Sequence, residues 1–427
     1  MSVRLRRILF AAFFSIPVLA FSQQVDTLKL SLQEAEKIFL QNNLPLIIEK
    51  LNINQADARI LQAKVWPNPQ FTLEEVQLFV DGTTEEIPPL FGNFWRDRNV
   101  AAQLEQLVYT AGKRRKTIAL EMRNKDLAET AFTDLLQALK TEFRQNMAEL
   151  LYLQKVQGGY DFQLAEVNKL LKVQELQLKQ GNISQVELYR LKALQISLQG
   201  EVNGLHEDIT EKQMELKTLM FLEPKTYLVV ADENIEESVQ KLKQYNLQEL
   251  ITLSDNNAGL KATRDQIKIS EAQLAIEKAN KVPDLNLKVS YDRQGSVMRN
   301  FVGLGVSLDL PLFDRNKGNI KEAQFELEKS VLTEKQKVSE LNNTVFKKWT
   351  DLNKSIQLYE KIDKDYLDKL EGMSQSITKS FQQHHLSLLE FLDFFESFRE
   401  SKEKYYESLK NIILKKEDLN YLIGGEL

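Results

Sequence analysis

Two imidazoles and two carboxylates stand close together toward the end of the 427-residue chain. His384 and His385 are adjacent in "QQHHLS", and Glu390 and Asp393 follow, one helical turn apart, in "LLEFLD". Carboxylates at that spacing share a helix face and can hold cations. Imidazole ligates several transition metals. The sequence has no Cys and offers the His pair no fixed third ligand, so a plain surface turn competes with a metal site. A solvated helix face is the matching alternative for Glu390 and Asp393 in a chain that is 27% charged. No nucleophile–base pair, metal motif or cofactor motif is present, and the reading is a non-enzyme without cofactor.

Composition narrows the class further. Arg4, Arg6 and Arg7 precede an apolar run over 8–21, and Ala20 and Ser22 suit a cleavage before Gln23. That is the pattern of a secretory leader over 1–22. No other stretch is apolar enough to cross a bilayer as a helix. The net charge of −5 leaves no basic excess for nucleic acid. Sixteen Gly and nine Pro are few for this length, which suits long helices.

The elements that must position the acidic residues come in two sets. Leu44, Ala56, Ile60, Ala63 and Pro67 align with Leu260, Ala272, Ile276, Ala279 and Pro283. "VYTAGKRRKTIA" (108–119) aligns with "LFDRNKGNIKEA" (312–323), and "GNISQVEL" (181–188) with "HHLSLLEF" (384–391). Three matches in one order imply a duplicated chain. The first repeat covers 23–221: a helix over 31–65, a hairpin within 69–109, a long helix over 113–180 and a returning helix over 184–221. A linker over 222–246, with "TYLVV" extended, leads to the second repeat, 247–427. There a helix over 247–280 precedes a hairpin within 284–310, a long helix over 317–381 and a returning helix over 387–423. Gly158-Gly159 is expected to bend the first long helix only. Ser184 and Ser387 each begin S-x-x-E, a capping box that opens the returning helix. Ile320, Ala323, Leu327, Val331, Val338, Leu341, Val345, Trp349, Leu352 and Ile356 recur in steps of three and four with a single wider gap, so the long helices should pack lengthwise as coiled coils.

Each strand of the second hairpin alternates. Leu285, Leu287, Val289 and Tyr291 face one way, with Asn286, Lys288, Ser290 and Asp292 opposite; Val302, Leu304, Val306, Leu308 and Leu310 repeat the pattern. One apolar and one polar face suit a sheet between lipid and a watery lumen. Four strands cannot close a barrel, so several chains must supply one.

"WPNP", "YTAGKRR", "GNISQVEL" and "LPLFDRNKGNIKEAQ" in these places make the mature chain resemble the TolC-type outer membrane efflux proteins, with "GKRR" and "LPLFDRNKGN" closest to the heavy-metal branch. The resemblance implies a mostly α chain with a small transmembrane β part. It also implies a homotrimer with a twelve-stranded outer-membrane barrel, set in lipid, above a periplasmic α-barrel. The partners implied are a periplasmic adaptor and an inner-membrane pump of the RND type, the exported substrate being a heavy-metal cation or a drug. A type I protein-secretion duct is the alternative within the family, and a cell-surface helical scaffold the alternative outside it.

The same resemblance assigns residues. Glu390 and Asp393 would form carboxylate rings at the narrow end of the conduit, their mutual repulsion raising their pKa values. Gly181, Asn182, Ile183 and Ser184, with His384, His385, Leu386 and Ser387, would be the tips that meet the adaptor. His384 stands where a glycine is usual, and Phe381 and Leu386 replace the polar residues that latch the drug branch shut. Lys113, Arg114, Arg115 and Lys116 follow the second strand, where they would touch lipid headgroups at the inner rim of the outer membrane or form a solvated first helical turn.

Overall fold

A computed structural model describes residues 27–74, 77–78, 98–231, 235–294, 298–383 and 385–427. The leader expected over 1–22, most of the first hairpin's far end and His384 lie outside the described residues.

In chain order the strands are β1 Thr27–Leu30, β2 Gln70–Leu73, β3 Gln77–Leu78, β4 Arg98–Asn99, β5 Ala101–Val108, β6 Tyr227–Val230, β7 Leu285–Gln294 and β8 Arg299–Ser307. The helices are α1 Leu32–Asn42, α2 Leu44–Ala63, α3 Lys113–Lys179, α4 Gln185–Met220, α5 Ile235–Leu242, α6 Leu247–Leu253, α7 Ala258–Asn280, α8 Lys317–Glu360, α9 Lys364–Gln382 and α10 Leu388–Ile423. A 3-10 turn, Ser254–Asn256, joins α6 to α7. α3 has 67 residues, none of them proline, and at ~1.5 Å per residue it is about 100 Å long.

Shorter helices laid end to end run beside the long ones. α2 and α4 both pack on α3, while α7 and α10 both lie between α3 and α8. At each joint a buried asparagine does two things. Asn43 accepts from the Leu46 N–H at 3.1 Å and donates its amide to the Leu219 carbonyl at the end of α4, 2.9 Å away. Asn257 accepts from the Leu260 N–H at 3.0 Å and donates to the Tyr421 carbonyl of α10 at 3.2 Å. Each thus caps the start of one helix and the end of another.

These joints correct three expectations. The helix expected over 31–65 breaks at Asn43, because Pro45 has no N–H to continue the ladder and Asn43 supplies a cap instead. The helix expected over 247–280 breaks at the 3-10 turn before Asn257. The caps also equate Leu46, not Leu44, with Leu260: Leu46 and Leu260 are buried, while Leu44 is exposed.

The long helices differ from expectation in the opposite sense. α3 runs unbroken through Gly158-Gly159, whereas the helix expected over 317–381 is interrupted at 361–363. There the Asp363 side chain accepts from the Tyr366 N–H at 3.1 Å and starts α9. Asp is poor inside a helix and good at its N-cap for the same reason, a short acceptor that competes for backbone N–H groups.

β2, β5, β7 and β8 form one antiparallel sheet in that order. The register lines up apolar rows: Phe71, Leu104, Val289 and Leu304 in one, Leu73, Ala102, Tyr291 and Val302 in the next. The large side chains of both rows are exposed, Leu304 at 85%, so this chain covers none of that face with its own helices. The opposite face carries Gln70, Glu105, Lys288 and Gly305 in one row, with Lys288 paired to Glu105 at 3.5 Å. Strand β8 stops at Ser307, short of Leu310 where the alternation ends, and β2, at the start of the hairpin expected within 69–109, covers only Gln70–Leu73.

A separate parallel pair, β1 with β6, was not anticipated beyond the extended "TYLVV". It covers a core in which Phe39 and Phe143 stack at 4.8 Å. The expected linker over 222–246 holds both β6 and α5.

Candidate functional site

The end of the molecule opposite the sheet is built from two turns of one design. α3 closes with Gly181 at φ +79°, its N–H reaching the Leu178 carbonyl at 3.0 Å, while the Asn182 N–H reaches the Gln177 carbonyl at 3.0 Å. This double bond to the last carbonyls is a Schellman closure, which needs a left-handed residue and favours glycine. α9 closes with the matching long bond, from the His385 N–H to the Ser380 carbonyl at 2.9 Å. The Asn182 amide is held by Gln177 Oε1 at 2.6 Å. Gly181, Asn182, Ser184, His385 and Ser387 are exposed; Ile183 and Leu386 are half-buried.

Both returning helices open with a capping box. Ser184 accepts from the Glu187 N–H at 3.2 Å, and Ser387 accepts from the Glu390 N–H at 3.3 Å. The two tips share one apolar cluster, in which Leu178, Ile183 and Leu188 meet Phe381, Leu386 and Leu388. Phe381 stacks on Phe391 at 4.7 Å, and Phe391 meets Phe395 at 4.5 Å. Of the two positions that lack the polar latch, Phe381 begins an aromatic ladder and Leu386 packs in the shared apolar cluster. The ladder's signal, phenylalanines at steps of four along α10, was open to reading in the sequence.

Glu390 and Asp393 are both exposed on the first turns of α10. Glu390 has a second task, since its carboxylate accepts from the Ser387 N–H at 2.8 Å and hydroxyl at 2.7 Å. The backbone hydrogen bond first, and the hydroxyl second, hold this carboxyl below its ordinary range. Within one chain the shift is thus opposite to the rise expected from a carboxylate ring. Among the described residues no group of three His, Asp or Glu is placed to hold a metal ion. His385 is exposed, and His384 is outside the described residues.

Where the sheet meets the helices, the basic run is used mainly inside the chain. Lys113 donates to Asp284 at 2.9 Å and to the Val282 carbonyl at 2.8 Å. Arg114 donates to the Lys64 carbonyl and lies over the Trp66 ring, 4.8 Å from its centre. Arg115 stays exposed. Two of the four cations read as lipid contacts instead fasten α3 to the turns after α2 and α7.

A charged cluster near the chain's middle escaped sequence reading. Arg144 on α3 holds Glu36 of α1 at 2.8 Å, Glu417 of α10 at 3.3 Å and the near-terminal Glu426 at 2.7 Å. Three regions far apart in sequence, near residues 36, 144 and 417–426, meet on one guanidinium, and nothing local announces that.

Residues 252–377 match the family of outer membrane efflux proteins. Over that segment the chain is similar to the family. It is 21% identical over 305 residues to the cobalt-zinc-cadmium resistance protein CzcC of Cupriavidus metallidurans, covering 70% of this chain and 68% of that protein. Among solved structures it is similar to the outer-membrane channel OprN, with a TM-score of 0.70 and 13% identity over 92% of this chain and 90% of that one. The outer membrane protein VceC of Vibrio cholerae is also similar, at 0.64 and 17%, over 92% and 96% respectively. At these identities the likeness is one of fold, long helical columns joined to a small sheet. Its exposed four-stranded apolar face is the part suited to lipid.

Proposed function

We propose that three copies assemble into one conduit, each β8 edge pairing with the β2 edge of the next copy to give twelve strands around a single barrel. The observation that carries this is the exposed apolar face on a sheet whose two outer strands, β2 and β8, have free edges. In lipid such edges would leave backbone groups without partners. The division into repeats at 23–221 and 247–427 gives six helical columns' worth of matching joints in the trimer, two asparagine joints per chain. In this reading the two tips meet a periplasmic adaptor, and an inner-membrane pump of the RND type supplies the energy.

Glu390 and Asp393, repeated three times, ring the narrow end. The capping box, with its hydrogen bonds from the Ser387 N–H and hydroxyl, favours the ionised form of Glu390. Fixed carboxylates at a constriction favour cations, and the likeness to CzcC favours heavy-metal cations as the cargo.

Purified protein should require detergent and show the mass of a trimer; a detergent-free monomer with full helix content would overturn the assembly. In planar bilayers the channel should be cation-selective and blocked by divalent cations from the periplasmic side. Glu390→Gln with Asp393→Asn should lose most of that block; unchanged block would place both carboxylates on the outer surface. Deleting the gene should sensitise cells to cobalt, zinc or cadmium if the cargo is metal, and leave sensitivity unchanged if it is not.

A further inference from the structure

α3 and α10 meet along a seam in which rings of one helix carry cations of the other. Lys410 Nζ stands 4.2 Å from the Tyr152 ring, and further along the Arg399 guanidinium stands 5.3 Å from the Tyr160 ring. Beside Tyr160 the seam opens into a cavity of about 330 Å³, within the range of small-molecule sites. Gly158 and Gly159 are on its lining, and a Cβ at either would meet nothing within 4 Å. Close packing therefore does not require these glycines, although each weakens the helix; what they do is leave the cavity open.

The walls carry two unmet hydrogen-bonding groups. Gln163 is only 4% exposed, yet its Oε1 has no donor. Arg399 Nε is buried and has no acceptor. Buried groups of this kind are rare in a finished core, and each calls for a partner. Lys155, Arg399, Lys402 and Glu403 are the charged residues of its lining. Tyr160 and Phe398 supply flat apolar walls.

We propose that this cavity binds a small aromatic acid. Its carboxylate accepts from Arg399 Nε, its ring lies among Tyr160 and Phe398, and a hydroxyl substituent donates to Gln163 Oε1. The site is independent of the carboxylate ring and of the nature of the exported cargo.

The test is equilibrium dialysis of the full-length protein in detergent against fluorescent 3-hydroxy-2-naphthoate, with blank micelles subtracted. Wild type should bind saturably. Arg399→Gln should weaken binding about tenfold, the size expected for one charge-assisted hydrogen bond. Gly159→Leu, which fills the space, should abolish binding while helicity and melting temperature are kept. 2-Naphthol, which lacks the carboxylate, should bind wild type and Arg399→Gln alike, and weakly. The proposal fails if wild type takes up no more than blank micelles or if Gly159→Leu binds as wild type does. It fails equally if 2-naphthol matches the acid. Should Gly159→Leu not fold, the Arg399→Gln comparison between the two probes decides the matter alone.

Discussion

Arg144 and Lys348 stand at the same distance past Gly112 and Asn316, the left-handed caps of α3 and α8. The two halves use that position differently. Lys348 makes one ion pair, with Asp418 of α10 at 2.5 Å, and both partners are partly exposed. Arg144 gathers carboxylates from α1, α10 and the chain's end, and Glu417 is nearly inaccessible among them. A planar guanidinium with five donors can serve three carboxylates at once, and an ammonium on a flexible stem is less suited to it. The duplication supplies equivalent places, and the side chain installed there decides whether a place becomes a junction or a surface contact.

The sharpest way to break this comparison is to remove each cation. Arg144→Met should destabilise the helical portion by about 3–5 kcal/mol, because Glu417 would be left buried without its guanidinium. Lys348→Met should cost about 1 kcal/mol or less, as a partly exposed pair does. Thermal unfolding followed by helicity measures both, and equal effects would dissolve the distinction. Acid provides an independent reading. Burial pushes the Glu36 carboxyl up, but hydrogen bonds from Arg144 and Lys140 outweigh it and hold the group below its ordinary range. The hydrogen bond from Arg144 likewise holds Glu426 down. Carboxyls depressed in the folded state stabilise it above their unfolded pKa, near 4, and that stability is lost as pH falls through the folded value. Wild type should therefore lose stability below about pH 4, and Arg144→Met should lose less over the same range.

The asparagine joints should show the opposite result, near equality. Asn43→Ala and Asn257→Ala each remove a helix cap and strand a carbonyl, at Leu219 or Tyr421. About 2 kcal/mol is expected for either. A difference of more than about 1 kcal/mol would mean that one joint is propped by neighbours the other lacks.

These joints also mark where sequence reading stops. The strand alternation of β7 and β8 and both S-x-x-E caps were legible, because a period of two and a cap are local properties. The Asn-Leu-Pro signal at 43–45 is local too, but what fixes the break there is also the Asn43 bond to the Leu219 carbonyl, which comes from a helix far along the chain. β1 is four residues long and pairs with a strand some two hundred residues away, and no local pattern specifies that. The cluster on Arg144 is hidden for the same reason. Glu390 was legible as a cap, and the structure adds that this cap lowers the carboxyl's pKa.

The smallest expected effects concern the middle of the long helices. Gly158-Gly159 and Ile362-Asp363 stand at the same distance past Gly112 and Asn316, so both halves weaken the helix at one level while only the second breaks there. In α3 the glycines keep their ladder, and added Cβ atoms would meet open space. Gly158→Ala and Gly159→Ala should each stabilise by about 0.5–1 kcal/mol through helix propensity alone. Asp363→Ala should destabilise by about 1 kcal/mol, because the Tyr366 N–H loses its cap. Amide exchange at 361–366 separates the causes of the break. If exchange there quickens in Asp363→Ala, packing of α9 on α10 maintains the break and Asp363 only caps it. If exchange slows and the protein gains stability, α8 and α9 have fused into one helix. The break would then be a local choice made by Asp363, and the second long helix would run as straight through this level as α3 does.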